Sequence, residues 1–184
     1  PEAVKVVLSN DRVYIHAAGA TPNVLTKALT ERASELRNVE ICHLHTEGPA
    51  PYANPDLAES FHVNSFFIAK NVRHTLTAGN GSYTPVFLSE LPRLFRKKVV
   101  PLDVVFIHVS PPDNHGYCSL GVSVEATVAA IESAKTVIAQ VNPNMPRTFG
   151  DGILHVSEID FLVDVDCPIH EKEEEAITPL EAKI

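Results

Sequence analysis

Apolar residues recur along this chain in two rhythms. Short runs dense in β-branched residues alternate with longer stretches whose apolar positions return every three or four residues. VKVVL (4–8) and RVYIHAA (12–18) read as short strands around the turn Ser9-Asn10-Asp11. GATPNVLTKALTERASEL then predicts a helix, with Thr21 suited to the N-cap, Pro22 to the first turn, and Val24, Leu25, Ala28, Leu29 and Leu36 on one face. VEICHLHTE (39–47) reads as a strand and GPAPYANP as a proline-rich loop. Residues 56–77 are less regular; they predict a helix around Ala69–Leu76, closed by Gly79-Asn80-Gly81. A short helix near Ser89–Lys97 leads to DVVFIHVS (103–110), a continuous apolar run of the kind buried inside a parallel sheet. Beyond the loop PPDNHGYCSLG, a helix from Ser123 carries Val124, Val128 and Ile131 on one face. TVIAQVN (136–142) is another buried strand and IDFLVDV (159–165) a last one. Strands joined by helical crossovers give an α/β fold: an open, mostly parallel sheet with helices on both faces.

Composition sharpens this picture. With 184 residues, 45% of them hydrophobic, the chain can bury one large core. The expected domain spans 1–166, and CPIHEKEEEAITPLEAKI (167–184) reads as an acidic linker. No run of 18 apolar residues is present, so no membrane span is expected, and no targeting leader is visible after Pro1. The net charge is −8, and −7 of it falls from Glu158 onward. An acidic chain without a basic stripe argues against nucleic-acid partners. The short basic group Arg93, Arg96, Lys97 and Lys98 reads as a solvated helix end, with an anion contact as the alternative. Three widely spaced cysteines, Cys42, Cys118 and Cys167, form no CxxC pair and fit a reducing intracellular setting, bacterial cytoplasm or mitochondrion.

In an open parallel sheet, ligands bind outside the carboxyl ends of the strands. Four loops follow such ends: HAAGATP, HTEGPAPY, SPPDNHGYCSLG and NPNMPRTFGDG. On strand 136–142, Thr136, Ile138, Gln140 and Asn142 share one face. An unpaired amide inside such a run costs about 1–3 kcal/mol, so Gln140 requires a partner, either protein or ligand. HAAGATP lacks the GxGxxG and GK[ST] patterns, which disfavours a resident nucleotide. His43 and His45 share a strand face and, with Asp113 and His115, form the one conceivable metal set; chance accounts better for such spacing among nine histidines. Ser119 has no evident base, and Cys118 is a nucleophile candidate on position alone. Glu47 and Glu125 are the carboxylates best placed for acid–base or covalent work, though surface or capping roles fit them better.

GATP (19–22), SPPDNHGYCSLGVS (110–123), AQVNPNMPRTFGD (139–151) and the following IDFLV resemble the amino-terminal half of the acetyl-CoA hydrolase/transferase family. That family includes 4-hydroxybutyrate, acetate and butyrate CoA-transferases. The resemblance runs from about Val4 to the acidic linker and implies a CoA-transferase-type α/β domain. It implies ping-pong transfer of CoA between acyl-CoA and a carboxylate through a glutamyl–CoA thioester. The family's glutamate belongs to a carboxyl-terminal domain, after a glycine-rich loop, and neither Glu47 nor Glu125 matches that motif. No catalytic residue is therefore expected in this chain. By resemblance, Gly19, Ala20, Thr21, Pro22, Gly48, Pro49, Asp113, Asn114, His115, Gly116, Tyr117, Gln140, Asn142, Met145, Pro146, Arg147 and Thr148 line the acyl side of an interdomain cleft. Coenzyme A is implied as substrate, with no permanent cofactor and no metal. The implied partners are a short carboxylate, the protein's own carboxyl-terminal domain and further copies in a homo-oligomer. Acetyl-CoA hydrolysis and a non-catalytic acyl- or carboxylate-binding domain are the alternatives.

Overall fold

The computed structural model describes residues 1–171, 177–178 and 181–183, so most of the acidic run lies outside the described residues. In chain order its elements are β1 (Arg12–Ile15), α1 (Asn23–Thr30), β2 (Val39–His43), β3 (Phe61–Ser65), α2 (Thr75–Ala78) and β4 (Gly81–Tyr83). Then come α3 (Leu91–Arg96), β5 (Val104–Val109), β6 (Tyr117–Ser119), α4 (Thr127–Ser133), β7 (Thr136–Val141), β8 (Ile153–His155) and β9 (Phe161–Asp164).

Seven strands form one sheet in the order β4-β3-β2-β1-β5-β7-β9, every neighbouring pair parallel. β6 and β8 form a separate antiparallel pair beside it. From β1 the chain winds outward through β2, β3 and β4, then returns to β5 on the other side of β1. The junction of β1 and β5 is thus the topological switch point, where the carboxyl ends of an open sheet leave a crevice.

Both faces of the sheet are covered. On one, Val13, Ile15, Ile41, Val63, Phe106 and Ile138 pack beneath Leu25 and Leu29 of α1 and Tyr52. On the other, Tyr14, Val105, Ile107, Val137 and Ala139 pack beneath Leu91 and Phe95 of α3 and the alanines of α4. The period-2 alternation of each strand feeds both cores at once, which is why β5 is buried at all six positions.

Several expectations need correction. Residues 4–8 are not a strand: Glu2–Val6 form a 3-10 helix, with Val4 and Val7 buried on one side at helical spacing. Thr21 does not cap α1; its hydroxyl donates to the Ala18 carbonyl and accepts from the Glu47 N–H. The irregular stretch 56–77 holds a strand, β3, and only the short helix Thr75–Ala78 in place of a helix over Ala69–Leu76. The helix expected from Ser123 begins at Thr127. β4, β6 and β8, three residues each, had no counterpart in the sequence pattern.

Candidate functional site

A cleft of about 580 Å³ opens at the switch point. The β1–α1 turn contributes Gly19, Thr21, Asn23, Val24 and Lys27. The loop after β2 contributes Pro49 and Pro51, the ends of β5 and β7 contribute His108 and Gln140, and the segment after β9 contributes Cys167, Pro168 and His170. Close approach depends on glycine at Gly48. Its φ is +97°, and a Cβ there would stand 2.8 Å from the Asn23 side-chain oxygen.

The polar centre of the cleft hangs on β7. Gln140 Oε1 accepts from the Val24 N–H at 3.1 Å, which satisfies an otherwise orphaned donor at the start of α1. Its Nε2 faces His108 Nε2 at 3.2 Å across the β5–β7 register, in which His108 and Gln140 are direct partners. Asn142, two positions on, is fully buried. Its Oδ1 accepts from the Asn144 N–H at 3.1 Å, while Nδ2 meets His108 Nε2 at 3.1 Å and the Cys167 carbonyl at 2.8 Å.

Burial first, and the neighbouring His16 second, push the His108 imidazole down to about 4, so it is neutral at pH 7. His16 is itself buried and shifted downward; its Nε2 donates to the Ser123 carbonyl at 2.7 Å and its Nδ1 accepts from the His108 backbone N–H.

The segment after β9 is strapped across this edge. Asn144 Nδ2 donates to the Cys167 carbonyl at 3.0 Å and to Asp166 Oδ1 at 2.9 Å, and His170 Nε2 stands 3.3 Å from Glu47 Oε2. Cys167 Sγ lies 3.3 Å from Asn142 Nδ2 and 3.8 Å from Gln140 Nε2.

The sequence-predicted residues fall into two groups. Gly19, Thr21, Pro49 and Gln140 line the cleft, with Ala20, Pro22 and Gly48 in its loops and Asn142 behind it. Asp113, Asn114, His115, Gly116 and Tyr117 form a turn beyond β5, held by Arg147. Asp113 Oδ1 accepts the N–H groups of His115 and Tyr117, both at 2.9 Å, and Arg147 donates to Asp113 and to the carbonyls of Pro111 and Tyr117. Those two backbone donors, ahead of Arg147, lower the Asp113 carboxyl. Gly116 permits the turn with φ +84°. Met145 is buried against Gly121, Pro146 is exposed, and Thr148 ties its loop to Ser119 and Gly121. None of this second group is among the residues that line the cleft.

The remaining candidates are accounted for structurally. Glu125 accepts from three hydroxyls, Tyr14, Ser123 and Thr127, at 2.7–3.0 Å. Ser119 Oγ is engaged by Gly121 and Thr148. Cys118 is fully buried, and burial raises its thiol, the opposite of what a nucleophile needs. Among the described residues no three His, Cys, Asp or Glu side chains come together as a metal site, so the set His43, His45, Asp113 and His115 is not assembled.

Sequence reasoning missed His108, Lys27 and the strap residues. His108 carries no signal of its own inside the apolar run VVFIHV; it is singled out only by the β5–β7 register, which sets it opposite Gln140.

The acetyl-CoA hydrolase/transferase N-terminal domain model matches residues 1–174. The chain belongs to the acetyl-CoA hydrolase/transferase family. It is 42% identical over 174 residues to the succinyl-CoA:acetate/propanoyl-CoA:succinate CoA transferase of Fasciola hepatica, covering 94% of this chain and 36% of that protein. Its identity to the 4-hydroxybutyrate coenzyme A transferase of Clostridium kluyveri is also 42%, covering 92% of this chain and 40% of that one. The chain therefore spans well under half the length of these acetyl-CoA hydrolase/transferase relatives. Among solved structures, RipA from Yersinia pestis superposes with a TM-score of 0.90 at 27% identity, over 97% of this chain and 44% of its own. The 4-hydroxybutyrate CoA-transferase of Porphyromonas gingivalis gives 0.77 at 30% identity, over 93% and 39%.

Proposed function

We propose that residues 1–166 are the acyl-side half of a CoA-transferase, and that 167–184 lead toward a second, catalytic domain. In this reading CoA moves between a short-chain acyl-CoA (acetyl, butyryl or 4-hydroxybutyryl) and a carboxylate. A glutamate outside these 184 residues attacks the thioester carbonyl and expels the CoA thiolate, leaving an acyl–glutamyl anhydride. The thiolate then attacks the glutamyl carbonyl, releasing the first carboxylate and forming a glutamyl–CoA thioester. The incoming carboxylate reverses these steps and takes the CoA.

The observation that carries this reading is the cleft at the switch point. Val24, Pro49, Pro51 and Pro168 give it apolar walls suited to a short acyl chain, and Lys27 and the Gln140–His108 pair give it polar contacts. The relatives' names supply the reaction class. The test is intact mass of the parent protein before and after acetyl-CoA, with borohydride to trap the thioester. A covalent change mapping beyond residue 184 is expected. A natural protein left unchanged by acetyl-CoA would overturn the transferase reading and favour a non-catalytic acyl-binding domain.

A further inference from the structure

Three of the residues that line the cleft, Asn23, Val24 and Lys27, come from the start of α1. Asn23 and Lys27 are a helical turn apart, so they are neighbours on one face of the helix. Gly48 gives the Asn23 amide its room, since a Cβ there would strike it. Lys27 is exposed, and its ammonium forms no ion pair among the described residues. Glu31 stands one turn further along α1, an available surface partner, yet it is not joined to Lys27 either. Helical side chains lean toward the amino end of their helix, which carries Lys27 toward Asn23 and away from Glu31.

The rest of the cleft leaves this charge unanswered. No Asp or Glu is among the residues that line it. His108 is neutral at pH 7, and His170 is engaged by Glu47 at 3.3 Å. Val24, Pro49, Pro51 and Pro168 make the neighbouring wall apolar. A cation beside such a wall attracts an anion more strongly than one surrounded by water. The rotatable stem of a lysine lets its three donors follow that anion, and the Asn23 NH2 is a further donor one turn away.

We propose that Asn23 and Lys27 form a subsite for the remote carboxylate of a short dicarboxylic acyl group, and so make a dicarboxylate the preferred carboxylate substrate. Reading the end remote from the reacting carbon suits a half that lacks the reactive glutamate. The hydrocarbon lies along the prolines, and the reacting carboxyl faces the second domain. A monocarboxylate of the same length leaves Lys27 without its partner. This assignment rests on the acyl-transfer reading of the cleft.

The test uses the parent protein with acetyl-CoA as donor and succinate or butyrate as acceptor, acids of equal chain length that differ in the remote carboxylate. Acceptor-dependent release of acetate is the readout. Succinate is expected to exceed butyrate in kcat/KM by about tenfold or more, the contribution of a hydrogen bond to a charged group. Lys27→Met keeps the stem and the helix propensity and should lower the succinate-to-butyrate ratio by about tenfold. Lys27→Glu should lower it further and favour 4-aminobutyrate, whose remote end is a cation; a merely structural lysine would not exchange one acceptor for the other. Equal kcat/KM for the two acids in the natural protein would overturn the proposal and leave acyl transfer standing. So would a ratio unmoved by Lys27→Met, including an equal loss for both acids, which would put Lys27 at the reacting carboxyl instead. A protein that acetyl-CoA leaves without covalent change, and that transfers CoA to neither acid, would take down the acyl-transfer reading and this proposal with it.

Discussion

His43 is enclosed beneath Tyr52, its ring centroid 6.0 Å from the tyrosine's, and burial pushes its imidazole down to about 4. An unfolded histidine titrates near ~6.5. Between those two values the unfolded chain binds more protons than the folded one, so acidification favours unfolding. The stability contributed by neutral His43 is whole above the unfolded value and is lost as pH falls from there toward 4. His108 and His16 act in the same direction. His43→Leu should therefore reduce the fall in unfolding free energy between neutral pH and about pH 5 by roughly 2 kcal/mol, measured by urea titration at the two pH values. An unchanged slope would mean that His43 is already protonated, or solvated, in the native state. At this scale the sequence was legible where polarity interrupted an apolar run: Gln140 and Asn142 announced themselves in TVIAQVN. His108 did not, because a histidine in VVFIHV passes as part of the run. Only the register, which sets His108 against Gln140, reveals the pair.

The elements around the cleft are joined by side chains more than by packing. Asn144 is exposed at its own position, yet its amide holds both the Cys167 carbonyl and Asp166. Because it sits outside both hydrophobic cores, Asn144→Ala should leave the melting temperature nearly unchanged while loosening the segment after β9. Cys167 reports this directly, since Cys42 and Cys118 are buried and Cys167 is not. Its alkylation by iodoacetamide, followed by peptide mass spectrometry, should accelerate several-fold in Asn144→Ala. An unchanged rate would show that Asn142 and the His170–Glu47 contact suffice to hold the strap. Long, strongly periodic elements such as β5, β7 and α1 were readable from the sequence. The first residues were not, because Val4 and Val7 satisfy a helical turn as well as a strand and only the missing partner strand decides. β3 was hidden for another reason: FHVNS alternates buried and half-exposed positions, but with His62 and Asn64 as its outward residues and no turn signal at its start.

At the level of the whole molecule, the order of strands and crossovers implied the architecture, and the loops after β1, β2, β5 and β7 do gather at one edge. What composition could not show was that this edge divides, one group of residues around His108 and another around Arg147. The division follows from the switch point, because the crevice opens beside β1 and β5, whereas the Asp113 turn is drawn away by its own β6–β8 pair. The sheet's two margins differ as well. β9 is an edge strand whose outer side has no strand partner among the described residues, with Phe161 38% and Leu162 48% exposed. An exposed apolar edge is a template for association unless charge or a covering element blunts it. Asp160 precedes the strand and Asp164 ends it, but neither covers its centre. The 184-residue chain should therefore sediment with a weight-average mass that rises with concentration, and Leu162→Lys should shift that rise to higher concentration by placing a charge at the centre of the edge. Equal sedimentation of the two proteins would mean that the edge is too short and twisted to pair. Any self-association would then have to use another exposed surface, such as the one around Phe87 and Val99.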